Sequence, residues 1–168
     1  MGLSSNILWH QTTLDGLKGI LNEQGFFYSY SLESILSRES KNNLNVAFPM
    51  VSLCDLPFSE LNDYIKKYGG YLIGMKRTWG KSNGLAPVWY CDSESTILNA
   101  IIDRYNQIEV NIKNGKNFTI SREIFLYTLS HIKNYEGQLI AHDFNKYRFY
   151  DEREFRSVPR YKELKKLH

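Results

Sequence analysis

The stretch KYRFYDEREFRSVP, Lys146 to Pro159, decides how this chain folds. Read as a strand, its period-two alternation puts Tyr150, Glu152, Glu154 and Arg156 on one face and Phe149, Asp151, Arg153 and Phe155 on the other. Neighbouring carboxylates repel, and one of them is pushed towards holding its proton. On a solvated edge such residues form charge pairs worth a fraction of a kcal/mol each. In a cleft the same residues make an acidic wall. Which of the two holds depends on the strands that this last one joins.

Upstream, NILWHQT reads as a first strand with Leu8 and His10 on one face, and TTLDGLKGILNEQGF as a helix. Thr12 or Thr13 can cap that helix, Leu14, Leu17, Ile20 and Leu21 sit at helical spacing, and Gly25 stops it. FFYSYSLESI is expected to be a strand running into a short helix, and SRESKNNLN a polar loop. VAFPMVSLCDL reads as a buried strand in which Pro49 argues for an edge or a late start. PFSELNDYIKKYGG reads as a helix with Pro57 in its first turn and Gly69 at its end, and YLIGMKR as a strand. TWGKSNG holds turn residues before the strand PVWYC.

Two amphipathic patterns, DSESTILNAIIDRYNQIEV and SREIFLYTLSHIKNYEG, are expected to be helices capped at Asp92 or Ser93 and at Ser121. Ile97, Ile101, Ile102, Tyr105, Phe125, Leu129 and Ile132 would form their packed layer. QLIAHDF and the opening stretch finish the chain as strands. Strands this far apart in sequence predict a single α+β domain over 1–168, with a mixed or antiparallel sheet rather than a doubly wound one.

A chain of 168 residues suits one domain with a proper core. Twelve tyrosines and nine phenylalanines favour a sheet and a pocket lined by rings. The formal charge of +3 does not by itself argue for nucleic acid, although the stretch from about 156 to 168, ending RYKELKKLH, concentrates basic residues. Cys54 and Cys91 have no paired spacing, so neither a zinc motif nor a disulfide scaffold is expected, and a reducing cytoplasm is the default. The first residues lack a signal-peptide pattern, Asn6 stands where a myristoylation motif needs Ser or Thr, and no apolar window reaches membrane-spanning length.

His10, His131, His142 and His168 are scattered without HExxH or CxxC spacing, which leaves no metal motif. No Walker or dinucleotide glycine pattern is present; YGGYLIGM matches neither. Cys54, inside an apolar run, reads as an inert buried thiol rather than a nucleophile. His10, Ser52 and the Glu152/Glu154 pair remain, each on or beside a predicted strand. Taken singly, each has an ordinary structural role: a hydrogen-bonded histidine, a small serine satisfied by backbone, a strand edge with ion pairs.

Together they resemble something more. LWHQTTLDGLKGILNEQGFF is similar to the opening of ADP-ribosyltransferase-like folds such as the DarT toxins, where a strand bearing His and Thr precedes a helix. PMVSLCDLPFSELNDYIKKYGGYLIGM and YDEREFR resemble the AbiGi family, named for the antitoxin role in a bacterial abortive-infection system against phage. The likeness runs from about Asn6 to Pro159. It implies a split sheet with an NAD-binding cleft and a triad of a first-strand His or Arg, a middle Ser or Tyr and a late Glu. His10 matches the first position and Glu154 the last, with Glu152 beside it. Ser52 is the choice for the middle, with Tyr71 or Tyr28 as replacements, and Thr12 would join His10, Ser52 and Tyr71 in holding NAD.

In that scheme Glu154 faces the oxocarbenium-like ribose, Glu152 orients or deprotonates the acceptor, and tyrosines stack on the nicotinamide. The acceptor would be a protein or a nucleic acid. The family likeness also implies an alternative, a non-catalytic antitoxin that neutralises a nucleotidyltransferase-like toxin. A third reading is a nucleic-acid-binding regulator using Arg156, Arg160, Lys162, Lys165 and Lys166.

Overall fold

The computed structural model describes residues 6–37, 42–68, 70–139 and 144–159. In chain order these form β1 (Ile7–Thr12), α1 (Leu14–Glu23), β2 (Ser29–Ser37), β3 (Asn42–Cys54), α2 (Leu61–Tyr68), β4 (Tyr71–Lys76), α3 (Arg77–Ser82), β5 (Ala86–Pro87) and β6 (Trp89–Cys91). They continue with α4 (Thr96–Lys113), α5 (Thr119–Leu129), β7 (Ile132–Asn134), β8 (Gly137–Leu139), β9 (Phe144–Tyr147) and β10 (Glu154–Ser157). This is an α+β fold whose main sheet is antiparallel throughout, in the order β4-β1-β3-β10-β5, with β2 pairing the first part of β3. A parallel pair, β6 with β7, and an antiparallel pair, β8 with β9, stand outside it.

The last strand therefore lies in the middle of the sheet. Trp9 pairs with Cys54, and Cys54 with Glu154 on its other side. Residues directly opposite in an antiparallel ladder share a face, so this row fixes which side chains meet. On the inner face Phe48 and Met50 of β3 and Ile35 of β2 pack under Leu98 and Ile102 of α4, Leu129 of α5 and Ile132 of β7. On the outer face Leu8, Val51, Leu53 and Leu85 pack with Phe26, Met75, Trp79 and Phe155. Cys54, Leu56 and Leu61 gather Trp9, Tyr64 and Leu72 in a third cluster.

Local chemistry explains the ends of two helices. Thr13 caps α1, its side chain accepting from the Gly16 N–H at 3.1 Å, and Gln24 closes the helix in the left-handed region at φ 53°. Ser95, rather than Asp92 or Ser93, caps α4, while Asp92 accepts from the Glu94 N–H in the preceding turn. Helix α5 begins at Thr119, ahead of Ser121, with no side-chain cap.

Other expectations change as well: residues 42–45, read as part of a polar loop, already belong to β3, and PVWYC divides between β5 and β6. The run after Phe27 does not bend into a helix; it stays a strand to Ser37, because nine ladder pairs tie it to β3 and Glu33 and Ile35 alternate inward. TWGKSNG forms α3 rather than a turn. Trp79 docks in the outer cluster and Gly80 sits so close to Leu8 that a Cβ would meet its Cδ1 at 2.8 Å. Ile132 leaves the helix to enter β7, and Leu98, not Ile97, faces the core, since Ile97 is exposed. Ile102 and Leu129 are buried and Ile101, Tyr105 and Phe125 pack against them, as the spacing predicts. Finally, Glu152 is not on the last strand. It ends a 3-10 turn, Phe149–Glu152, and Arg153 turns the chain through φ 46° before β10 starts at Glu154.

Part of QLIAHDF and the basic residues 160–168 lie outside the described residues.

Candidate functional site

Five charged side chains from four elements converge on the inner face: Glu33 of β2, Lys133 of β7, Glu152 of the 3-10 turn, and Glu154 and Arg156 of β10. The guanidinium of Arg156 is fully buried. Its Nε donates to Glu154 Oε1 at 2.7 Å, its Nη2 to Glu154 Oε2 at 3.0 Å and to Glu33 Oε1 at 2.7 Å, and its Nη1 to the Ser130 carbonyl at 2.8 Å. Lys133 Nζ donates to Glu152 Oε2 at 2.9 Å and to Glu154 Oε2 at 3.0 Å. Arg156 is thus no strand-edge partner of low worth. Deleting one member of a buried pair typically costs about 3–5 kcal/mol, because a charge is left without compensation.

Burial would raise the pKa of Glu154, but Lys133 and Arg156 outweigh it and hold the group at about 2. Burial works against the charged form of Lys133 too, and Glu154, Glu152 and Glu33 push its pKa up nonetheless. For Glu33 burial wins over Arg156 and Lys133, and its pKa rises. Around this network Glu154 donates its backbone N–H to Tyr90 Oη at 2.8 Å, and burial raises the pKa of that phenol. Cys54 Sγ donates to Tyr64 Oη at 3.1 Å, and burial together with Glu154 keeps the thiol neutral, as expected of an inert cysteine.

A cavity of about 210 Å³ opens onto this network, lined by Gln11, Ser31, Glu33, Ser52, Cys54, Tyr64, Lys133, Glu152 and Glu154. The structure therefore brings Ser52, Glu152 and Glu154 together. It does not bring His10, Thr12 or Tyr71 to them. Trp9 shares the row of Cys54 and Glu154, so its neighbour His10 points to the opposite face. There its Nδ1 lies 2.9 Å from the Ser52 carbonyl oxygen and its ring packs edge-on against Phe26. Burial lowers the pKa of His10, partly offset by that hydrogen bond. Thr12 pairs with Tyr71 at the end of the β1–β4 ladder, on the face of His10. Tyr28 reaches Ser157 Oγ from the same outer side, at 3.1 Å.

Gln11, Glu33 and Lys133 are site residues that the sequence did not single out. Both charged ones sit in runs read as helix, SLESI and SHIKN, where a period of 3.6 assigns them to other faces. The signal lay in the alternation Glu33-x-Ile35, which puts a carboxylate beside a core residue. An ionised Glu154 whose two oxygens accept from Arg156 and Lys133 has no proton to give, and its charge is already met by two fixed cations. Among the described residues no group of three His, Cys, Asp or Glu side chains could hold a metal ion, and no helix is long and apolar enough to cross a membrane.

No curated protein and no solved structure matches the chain. One family model does, over residues 24–167, and its description is "Putative abortive phage resistance protein AbiGi, antitoxin". That span includes β2, β3, β7 and β10, the elements that build the charge network, and on it the chain belongs to the AbiGi family.

Proposed function

We propose that this chain is the antitoxin half of an abortive-infection pair, and that it works by contact with a cognate toxin rather than by turning over NAD. The match to the AbiGi family model carries this reading. Two features of the site support it. The carboxylate best matched to a transferase glutamate has both oxygens engaged by cations. The histidine expected to hold NAD is on the other face of the sheet. An electrostatic stabiliser of a ribosyl cation needs charge that is not already compensated. The family likeness points to a nucleotidyltransferase-like toxin as the partner.

A second reading, transfer of ADP-ribose from NAD to a protein or nucleic-acid acceptor, is favoured by one observation. Ser52, Glu152 and Glu154 line a single cavity. Nicotinamide would leave with the electrons of its glycosidic bond, and the acceptor, deprotonated by Glu152, would bond to the ribosyl carbon. The nucleic-acid reading loses Arg156, which is buried in ion pairs; its remaining cations lie outside the described residues.

Growth of cells expressing the protein encoded beside this chain, with and without the chain, tests the antitoxin reading. Co-expression should restore growth, and Ser52→Ala, a change in the cavity lining that leaves the buried ion pairs whole, should restore it equally. The purified chain should release no nicotinamide from NAD. Nicotinamide release that Glu152→Gln abolishes would transfer the assignment to the enzyme.

A further inference from the structure

We propose that two copies of this chain associate through the bare outer face of the β2–β3 ladder. Alternation along β2 turns Glu33 and Ile35 inward and Tyr30, Leu32 and Leu36 outward, where they are 73%, 71% and 41% exposed. Tyr28 precedes them on that side. The outer cluster that covers Leu8, Val51 and Leu53 with Phe26 and Trp79 does not extend over these residues. An antiparallel sheet with one solvated face normally carries polar residues there. This one carries tyrosine and leucine, as a strand covered on both faces does.

The occupant follows from charge and area. The residues of this face are Tyr28, Tyr30, Leu32, Ser34 and Leu36, with Asn45, Ala47 and Pro49 opposite them on β3, and none is charged; Arg122 and Glu123, of opposite sign, border it in the groove they share with Tyr30, Ala47 and Pro49. In a two-fold interface each charge near the axis meets its own image and repels it, so a chain of net charge +3 can meet its copy best through a charge-free face. Tyr28, Tyr30, Leu32 and Leu36 are 40%, 73%, 71% and 41% exposed, which at about 200 Å² for a whole residue of this size is roughly 450 Å² of mainly apolar surface. That is close to the apolar share of the ~800 Å² that each partner contributes to a stable dimer. Two such faces stacked about 10 Å apart form a sheet sandwich.

Sedimentation equilibrium of the full chain from about 1 to 100 µM tests this, and a dimer is expected. Leu32→Lys places two ammonium groups in the interface and should weaken association by about a hundredfold or more. Ile124→Lys, at a 64% exposed position on α5, should leave it unchanged. Thermal unfolding of each variant checks that the fold is intact, which is expected because both side chains are exposed in the single chain. A monomer at 100 µM would overturn the proposal, as would a dimer indifferent to Leu32→Lys. A monomer that forms a complex with the protein encoded beside it, broken by Leu32→Lys, would overturn it too and assign the face to the toxin. That last outcome would leave the antitoxin reading standing.

Discussion

Glu154 is lowered from 4.5 to about 2 against the effect of its own burial, so its charge belongs to the folded state. A depressed carboxylate contributes stability that is complete above its unfolded pKa and is lost as pH falls through the folded one. The window here runs from about pH 5 to about pH 2, and the contribution is on the order of 3 kcal/mol. Glu33 acts the other way, because its raised pKa means that protonation relieves a burial cost as pH falls. Urea midpoints at pH 6 and pH 3 should show wild type losing most of the Glu154 contribution, while Glu154→Gln, weaker at pH 6, has a flatter acid profile. Parallel profiles would show that the pair does not hold the carboxylate in its charged form. That two glutamates and an arginine lie close together was legible in DEREFR. Their burial was not, because Arg156 on an edge strand and Arg156 in the middle of a sheet are spelled identically.

At the scale of elements, one amide supplies the hydrogen bonds between β2 and β7, beside the packing of Ile35 on Ile132. Leu36 N–H donates to Asn134 Oδ1 at 2.8 Å, and Asn134 Nδ2 donates to the Leu36 carbonyl at 2.9 Å. The side chain thus completes a ladder step that no backbone supplies, and it does so while buried. Asn134→Ala leaves two backbone groups of Leu36 without these partners and should cost about 2–3 kcal/mol, with faster hydrogen exchange at the Leu36 amide. Unchanged exchange there would mean that other contacts hold β2 against β7. The period of α4 and α5 was readable because a helix face depends only on its own spacing. The point where α5 stops was not, since Ile132 is apolar in either state and only its pairing with Trp89 makes it a strand.

For the whole molecule, the order β4-β1-β3-β10-β5 places the last strand between two others. A chain cut after Glu152 loses Glu154 and Arg156 together with the strand that joins β3 to β5. It should show no cooperative urea transition, and a sharp transition followed by near-ultraviolet dichroism would show that β10 is dispensable. By itself the sequence determined an α+β chain, the amphipathic helices, the strands around His10, Ser52 and Glu154, and the AbiGi likeness. Each of these rests on spacing between neighbours or on local motifs. Only the tertiary structure decided that His10 and Glu154 face opposite sides of one sheet. Each strand fixes its own alternation, but the shared row of Trp9, Cys54 and Glu154 is set by pairing across some hundred residues, and a shift of one residue would have reversed it.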